Sequence, residues 1–476
     1  MRAKYAVASA PDGAGRLSRR ASRRRVRRAR PFVATGTAPC ETEGMKAYLG
    51  GHAECDRDGY SNRLRRTDTP CGQLRGGMLL LPRGIFAAVL SLSLAAAIRP
   101  TVVAGDVRID ADFPGGNIVC EKIEGETIYI RQDLRDTQGD WFYWYFRVRG
   151  AEGKTLKFQF TGSDVIGLRG PGVSIDGGIT WKWLGRQTVE GKSFRFAFPA
   201  DAPDVRFSMA MPYVEENLKR FLSRWQGRPE LKVDVLCKTK KGRSAELLYL
   251  GRLDGNAPFR VAFTCRHHAC EMMASYVLEG IMETVLTDDD IGRWYRDNVE
   301  MFIVPFVDKD GVEDGDQGKN RKPHDHNRDY GGQSIHPTVA AIREKLPAWG
   351  GGRLRVAIDL HCPSLRDQVL QFVGGPDEDN WKCIGRLAAI LEKVQQGPLV
   401  FSAADNIPFG KGWNNNPNAR TFARFAAAIP GVWVGSTIEV PYATARGKEV
   451  NADSARRFGR DVAAALMQYL TTDKGR

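Results

Sequence analysis

The sequence has no cysteine pattern typical of a structural zinc cluster, no internal repeat and almost no net charge over most of its length. None of its nine cysteines forms a CxxC pair, and it contains only seven histidines. The formal charge of +14 is concentrated at the start, because residues 1–104 carry a net +12 and residues 105–476 only +2. A nearly neutral body gives no basic stripe for nucleic acid, so no nucleic-acid partner is predicted.

Residues 1–77 combine an arginine-rich run, SRRASRRRVRRAR, with a Gly/Thr/Asp-rich stretch that has no apolar periodicity. Such a composition buries too little apolar surface to fold. We predict a disordered basic leader, or a segment that precedes the true start codon at Met78. A basic nucleic-acid or targeting arm is the alternative interpretation.

Residues 78–104 are typical of a secretory signal peptide. An arginine lies near the start, an apolar run covers residues 84–98, and small residues precede Gly105. The run is short for a membrane span. We therefore predict export to the periplasm or the exterior, with an uncleaved membrane anchor as the alternative. The six cysteines that follow are an even number, which permits disulfides without assigning their pairing.

The remaining chain predicts an α/β fold preceded by a small antiparallel β-sandwich. Residues 105–211 alternate apolar and polar residues with period two between Gly, Pro and Asp turns, as in TLKFQF and SFRFAF. Residues 212–476 alternate strands such as RVAFTC and RLRVAIDL with helices such as EMMASYVLEGIMETVL. This alternation predicts a mixed, mostly parallel sheet covered by helices.

Polar residues that directly follow strands of the α/β region are the candidates for chemistry, because ligands bind beyond the carboxyl ends of strands in such sheets. The motif RHHACE follows RVAFTC, and His361 ends RVAIDLH. One histidine of the pair at 267 and 268, together with Glu271 and His361, supplies two imidazoles and one carboxylate. This is the ligand set of a catalytic zinc site.

A long polar loop and a late strand add further candidates. The loop carries Arg321, Asn327 and Arg328, and guanidinium groups are suited to gripping a carboxylate. The late apolar strand STIEV contains Glu439, a candidate general base. A solvated loop and an ordinary paired carboxylate are the structural alternatives.

In the order of these motifs the chain resembles the zinc metallocarboxypeptidases of the carboxypeptidase A type, especially their cytosolic-carboxypeptidase-like branch. The resemblance covers most of residues 105–476, including the β-rich segment that precedes the catalytic region. The matching motifs, in chain order, are His268-x-x-Glu271, DKDGV, Arg321, Asn327-Arg328, IDLH ending at His361 and TIE ending at Glu439.

The resemblance implies a metal site with one Zn²⁺ per chain. It assigns His268, Glu271 and His361 as ligands, and Asp325 as the carboxylate that orients the first histidine. His267 is then a neighbour outside the ligand set.

The resemblance also implies hydrolysis of the last peptide bond of a peptide or protein, whose C-terminus is the expected partner. Glu439 would be the general base and Arg321 would stabilise the oxyanion. Asn327 and Arg328 would hold the terminal carboxylate of the substrate.

Several alternatives stay open. Cys270 and Cys362 have three alternatives: a disulfide between them, a soft ligand for the metal, or two inert small residues. A second hypothesis is that Arg420 or Arg424 gives the enzyme a preference for an acidic terminal residue. The runner-up activity is a related zinc amidohydrolase acting on an N-acyl amino acid or a cell-wall peptide. A non-catalytic binding module is the third class, and every expected ligand and base is present against it. The sequence does not predict the oligomeric state.

Overall fold

The computed structural model of the chain describes residues 102–472. They belong to one compact unit. The predictions for residues 1–77 and for residues 78–101 lie outside this described part. The last three residues of the predicted signal segment, Val102–Ala104, form a strand that pairs with the strand after it.

Two sheets form the N-terminal part of the described chain. Their strands, in chain order, are β1 (Val102–Ala104), β2 (Val107–Asp110), β3 (Val119–Glu124), β4 (Thr127–Arg131), β5 (Tyr145–Arg149), β6 (Thr155–Phe160), β7 (Gly172–Ser174), β8 (Lys182–Trp183), β9 (Val189–Glu190), β10 (Ser193–Ala197) and β11 (Val205–Ser208). The strand orders are β1-β2-β5-β11-β7-β8 and β3-β4-β6-β10-β9. All pairs are antiparallel except β4 with β6.

The predicted alternation of apolar and polar residues matches the alternation of buried and more exposed side chains in these sheets. In β6 every second side chain is buried, and Phe158 is fully inaccessible. Phe158 stacks on Phe194 of β10 at 4.9 Å and contacts Phe207 of β11 at 5.2 Å between ring centroids. An aromatic core thus joins the two sheets.

Helices and strands alternate from residue 215 onward. In chain order they are α1 (Glu215–Ser223), β12 (Leu231–Lys238), β13 (Ser244–Gly251), β14 (Phe259–Cys265), α2 (Met272–Leu286), α3 (Asp290–Asn298), β15 (Val299–Val304), α4 (Lys309–Asp314), α5 (Pro337–Gly350), β16 (Leu354–His361), β17 (Gln371–Val373), α6 (Glu378–Val394), α7 (Phe422–Ala427), β18 (Val434–Glu439), β19 (Thr444–Ala445), β20 (Lys448–Glu449) and α8 (Ala452–Thr472). Short 3₁₀ turns lie at Arg186–Thr188, His326–Arg328 and Ala403–Asp405.

The main sheet has seven strands in the order β12-β13-β15-β14-β16-β18-β17. Its central strands, β15, β14, β16 and β18, are parallel, and the pairs toward both edges are antiparallel. The predicted α/β class with a mixed sheet is confirmed, although parallel pairing is restricted to the centre. Because these four strands run the same way, their carboxyl ends meet at one edge.

Helices α2 and α8 cover one side of this sheet in close contact with each other. Nearly every residue of α2 is buried, which explains why its apolar residues surround the helix instead of forming one stripe. Gly280 of α2 and Gly459 of α8 lie at the crossing, where a Cβ on Gly459 would stand 2.2 Å from the Val277 carbonyl oxygen. The backbones of the two helices therefore touch.

None of the helices in the described residues combines the length and the apolar character needed to cross a membrane.

Candidate active site

The ends of three parallel strands bring the predicted site residues together. His267 and His268 follow β14, His361 ends β16, and Glu439 ends β18 directly opposite His361 in the register. The chain turns sharply after β14 because Arg266 adopts a φ of 62°. This turn directs the following residues over the edge of the sheet.

His268, Glu271 and His361 converge in a buried cluster. His268 Nδ1 lies 2.9 Å from Glu271 Oε1, and His361 Nδ1 lies 2.7 Å from Glu271 Oε2. Suitable ligand atoms of the three side chains all fall within 4.8 Å of one another. The structure therefore brings together the three residues predicted as zinc ligands.

Both histidines of this cluster are oriented by a second carboxylate. His268 Nε2 lies 3.5 Å from Asp325 Oδ1, at the position predicted for Asp325. His361 Nε2 forms a very short contact with Asp359 Oδ2. A carboxylate on the outer nitrogen fixes the ring orientation and leaves Nδ1 to face inward, which is the usual arrangement around a bound metal.

The donor set fits zinc. Two imidazole nitrogens and a carboxylate form the protein ligands of catalytic zinc sites, and here they converge in a buried cluster that opens into a cavity. Burial acts to raise the pKa of Glu271, but the charges of Lys319, His268 and His361 outweigh it and hold the pKa well below its usual range. Glu271 is therefore ionised, as a metal ligand must be.

His267, which the resemblance leaves outside the ligand set, makes different contacts. Its Nδ1 lies 2.8 Å from Asp359 Oδ1 and its Nε2 lies 2.8 Å from the Tyr330 hydroxyl oxygen. Its ring also stacks on that of His361, with centroids 5.8 Å apart. Fully buried and with both nitrogens engaged, His267 holds Asp359 in place behind His361.

Glu439 has the environment of a general base. It is 8 % exposed, it lines the cavity, and no described residue forms a hydrogen bond with its Oε2. Burial raises the pKa of Glu439 to about 7, against the opposing charge of His361. A carboxylate with a pKa near neutrality exchanges protons efficiently at neutral pH.

Arg321 lines the same cavity, but its guanidinium group is held by three carboxylates. Nε lies 2.9 Å from Asp136, Nη1 lies 2.6 Å from Asp308 and Nη2 lies 2.8 Å from Asp316. Gly311 lies against this group, where a Cβ would stand 2.6 Å from Nη2 of Arg321. The role predicted for Arg321, contact with an oxyanion, stays a prediction.

Asn327 and Arg328 differ in how free their side chains are. Asn327 is buried, its Nδ2 lies 3.1 Å from His361 Nε2, and its Oδ1 accepts a hydrogen bond of 3.0 Å from the backbone N–H of Phe422. Arg328 is exposed, and one of its nitrogens donates to the Asn327 carbonyl. Both line the cavity, so the structure places the predicted carboxylate-binding pair beside the metal cluster.

The cavity has a volume of about 630 Å³ and receives residues from both parts of the chain. Trp141 comes from the connection between β4 and β5, and Trp413 comes from the loop before α7. Arg424 lines the cavity, while its Nη atoms donate to the carbonyl oxygens of residues 416, 417 and 419. Arg420 is not among the lining residues and lies against Gly331.

Lys319 and Asp359 are the functional candidates that the sequence analysis missed. Lys319 Nζ lies 2.8 Å from Glu271 Oε1, inside the cavity. Asp359 bonds to His267 and His361 and accepts a 2.8 Å hydrogen bond from the Thr264 hydroxyl. Its position two residues before His361, a predicted ligand, on the same face of β16, is a signal in the sequence for this contact.

The six cysteines among the described residues are free. Cys270 Sγ lies 3.7 Å from the Tyr442 hydroxyl, and Cys362 is buried beside His361. Burial raises the pKa of the Cys270 thiol to about 12. Of the three alternatives for Cys270 and Cys362, the structure shows no disulfide between them, and the raised pKa opposes a thiolate ligand.

Another group of potential metal ligands, at His324, Asp329 and His336, is explained by the loop itself. Asp329 lies 2.8 Å from His324 Nε2 and accepts backbone hydrogen bonds from Ile335 at 3.1 Å and His336 at 2.9 Å. His336 Nε2 lies 3.1 Å from the His324 carbonyl oxygen. These bonds close the loop on itself and satisfy its polar groups.

A family model described as zinc carboxypeptidase matches residues 219–343. Among curated proteins, an uncharacterised protein of Zymomonas mobilis is 24 % identical over 57 % of this chain and 72 % of its own length. Cytosolic carboxypeptidase 6 of Caenorhabditis elegans is 23 % identical over 56 % of this chain and 65 % of its own length. Human cytosolic carboxypeptidase 4 is 27 % identical over 44 % of this chain, and the match spans only 20 % of that relative.

Solved structures share the fold. A metallo-carboxypeptidase from Burkholderia cenocepacia matches 77 % of this chain and 99 % of its own, with a TM-score of 0.64 and 22 % identity. A metallo-carboxypeptidase from Pseudomonas aeruginosa, in complex with (2-guanidinoethylmercapto)succinic acid, matches 76 % of this chain and 99 % of its own, with a TM-score of 0.64 and 20 % identity. The predicted resemblance to zinc carboxypeptidases, and to their cytosolic-carboxypeptidase-like branch, is confirmed by these matches, and the solved structures show that the fold is shared.

Proposed function

We propose that this chain is a zinc-dependent carboxypeptidase that hydrolyses the C-terminal peptide bond of peptides or proteins. The observation that carries the proposal is the meeting of a zinc ligand set with an unpaired, buried carboxylate. His268, Glu271 and His361 supply the ligand set, and Glu439 supplies the carboxylate. Both face one cavity large enough for the end of a peptide.

A zinc ion held by these three residues would lower the pKa of water and polarise the scissile carbonyl. The protein residues perform the proton transfers. Glu439 Oε2, free of hydrogen bonds to the described residues, takes a proton from the attacking water and delivers it to the nitrogen of the leaving amine as the C–N bond breaks. Burial acts to raise the pKa of Glu439, which favours its accepting the proton in the first step.

Restriction to chain ends would come from Arg328 and Asn327. Arg328 is exposed in the cavity and offers donors for the terminal carboxylate of the substrate. Asn327 fixes the backbone beside His361 through its amide group. A preference for an acidic terminal residue through Arg424 also stays a proposal. To contact such a residue, the Arg424 side chain would have to give up hydrogen bonds to its own loop.

Export of the protein through the signal segment at residues 78–104 is proposed as well. Its support is the composition of that segment, with an apolar run followed by small residues.

The activity is tested on the wild-type chain and its Glu439→Gln variant, with zinc content measured on both. We expect one zinc per chain in each protein and release of single C-terminal residues by the wild type. The variant should lower kcat by about 10²–10⁴-fold, because it removes the base and keeps the shape of the side chain. Zinc binding without any release would favour an amidohydrolase, and absence of zinc would contradict the assigned ligands.

A further inference from the structure

The cavity contains more than one cation that is able to stabilise negative charge on a substrate. The lysine and arginine residues that line it within the described chain are Lys319, Arg321, Arg328 and Arg424. Arg328 is exposed and suited to the terminal carboxylate, and the Nη atoms of Arg424 are bonded to backbone carbonyls of its own loop. Lys319 and Arg321 are therefore the candidates for binding the oxyanion.

Arg321 is poorly placed for that role because its charge is already balanced. Each of its three nitrogens contacts a different carboxylate, from Asp136, Asp308 and Asp316. Its side chain is 15 % exposed, so solvent screens these contacts only weakly. To reach a substrate oxygen, the guanidinium group would have to give up at least one charge-assisted hydrogen bond.

Lys319 is the better placed cation. Its ammonium group has one carboxylate partner, Glu271 Oε1 at 2.8 Å, and also lies 3.2 Å from the Cys362 carbonyl oxygen. An ammonium group has three N–H donors, and these contacts use two of them. Nζ also lies 5.3 Å from the ring centroid of Trp141, so an aromatic face covers it on one side.

The loop that carries Lys319 is fixed against the metal-binding motif. A Cβ on Gly318 would stand 2.2 Å from the backbone nitrogen of Ala269, and the residue has a φ of +79°. Only glycine allows the chain to pass so close to the motif. The side chain of the next residue, Lys319, is therefore close enough to contact Glu271.

The connection between β4 and β5 holds the same loop from the other side. Gln317 exchanges hydrogen bonds of 2.8 and 2.9 Å with the backbone of Tyr143, and its own carbonyl accepts a 3.0 Å bond from the backbone N–H of Cys270. Asp136 accepts from the backbone N–H groups of Gln317 and Gly318 and from Arg321. The backbone around Lys319 is thus positioned before substrate arrives, as an oxyanion-binding group requires.

We propose that Lys319 is a catalytic residue that stabilises the oxyanion, and that Arg321 instead anchors the loop. When water adds to the scissile carbonyl carbon, the π electron pair moves to the carbonyl oxygen, and a Lys319 N–H donates a hydrogen bond to that oxygen without transferring its proton. When the C–N bond breaks, the pair returns to the carbonyl and the hydrogen bond weakens. This inference rests on the proposed carboxypeptidase activity.

The test compares Lys319→Met and Lys319→Arg with the matched control Lys322→Met in the full zinc-loaded chain. Lys322 is exposed and does not line the cavity, so its replacement removes the same charge nearby. Zinc content and far-UV circular dichroism are measured first on each protein. Steady-state kinetics then use a peptide that the wild type cleaves, so that failure of the proposed function shows as an inactive wild type.

Inhibitor binding supplies a second readout that does not depend on turnover. A phosphinic pseudopeptide carries an anionic oxygen on a tetrahedral centre, and a ketomethylene analogue of the same sequence lacks that charge. We expect Lys319→Met to keep its zinc and to lower kcat by about 10²–10³-fold with KM changed less than about threefold. Its affinity for the phosphinic compound should fall by a similar factor, whereas affinity for the ketomethylene compound should change little.

Lys319→Arg should recover a large part of both losses, and Lys322→Met should match the wild type. Unchanged phosphinic affinity in Lys319→Met would overturn the proposal. Loss of zinc from Lys319→Met with wild-type behaviour of the refilled enzyme would also overturn it, because Lys319 would then act only on the metal site. If Lys319→Met does not fold, the Lys319→Arg variant decides. A folded, zinc-loaded Lys319→Arg protein that lacks both the activity and the phosphinic affinity of the wild type would contradict a role based on charge.

Discussion

At the scale of single residues, the site depends on how carboxylates are paired. Asp325 and Asp359 each take the outer nitrogen of a histidine predicted as a ligand, while Glu271 faces both inner nitrogens. Glu439 is left without a partner among the described residues for one of its oxygens. The neighbours of Glu271, Asp325 and Asp359 thus lower the pKa of each and hold it as an anion. The pKa of Glu439, in contrast, is raised to near neutrality.

The unpaired carboxylate predicts a pH-dependent stability difference between the wild type and Glu439→Gln. Burial raises the pKa of Glu439 from 4.5 to about 7, so the folded state binds a proton that the unfolded state releases. This contribution to stability is complete below about pH 4.5 and is lost as pH rises through about 7. In chelator-treated, metal-free protein, Glu439→Gln should therefore gain stability over the wild type across this range, by up to about 3 kcal/mol at pH 8.

Urea unfolding of both metal-free proteins at pH 5 and pH 8 measures this difference. Added zinc should reduce it, because a nearby cation favours the charged carboxylate in the wild type. An equal stability difference at both pH values would show that Glu439 is not buried in a raised-pKa environment.

At the scale of structural elements, glycine lets backbone segments approach one another at the site and behind it. Gly318 brings the loop of Lys319 onto the metal-binding motif, and Gly280 and Gly459 bring α2 against α8. Because α2 begins directly after Glu271, its packing against α8 supports the position of a predicted ligand. Close helix packing and site geometry are therefore linked through one helix.

This packing predicts opposite effects for two Gly→Ala substitutions within helices. A Cβ at Gly459 would meet the Val277 carbonyl oxygen at 2.2 Å, so Gly459→Ala should destabilise the protein by about 1–3 kcal/mol. Gly385 lies in α6 and is exposed, and a Cβ added there would meet no atom within 4 Å, so Gly385→Ala should stabilise by roughly 0.5–1 kcal/mol. Chemical denaturation measures both, and equal shifts of the two midpoints would contradict the close contact.

At the scale of the whole described chain, the N-terminal sheets and the α/β part share one core. A single cluster of buried apolar residues extends from Val107 to Leu470. Polar contacts cross between the parts as well, since Arg169 Nε donates to the Ala443 carbonyl at 3.0 Å and the Trp183 indole donates to the Val450 carbonyl at 2.8 Å. Separating the two parts would therefore expose apolar residues of both.

The shared core predicts one cooperative unfolding transition for a chain that begins at residue 102. The calorimetric and van't Hoff enthalpies should agree, and fluorescence and far-UV circular dichroism should report the same midpoint. Two resolved transitions would show that the N-terminal sheets and the α/β part fold independently. The measurement is made on zinc-loaded and on zinc-free protein, so that loss of metal is not mistaken for a domain transition.

Strong local patterns explain which elements are predictable. The buried strands β14, β16 and β18 and the amphipathic α8 follow directly from runs of apolar residues with clear periods. The edge strand β12 is not predicted by such a pattern, because it is mostly exposed, with Val233 and Val235 among its solvent-facing residues. An edge strand is defined by its neighbour in the sheet, and that information is not local.

The sequence by itself determined the order of the motifs and a resemblance to the zinc carboxypeptidases, which implies the metal ligands and the base, because the motifs follow or lie within strands that local patterns reveal. Only the tertiary structure decided which partner each charged side chain takes. Arg321 is paired with Asp136, 185 positions away along the chain, and Lys319 lies against Glu271. Electrostatic energy depends on distance and burial in space, so the fold decides which carboxylates each of these two cations contacts.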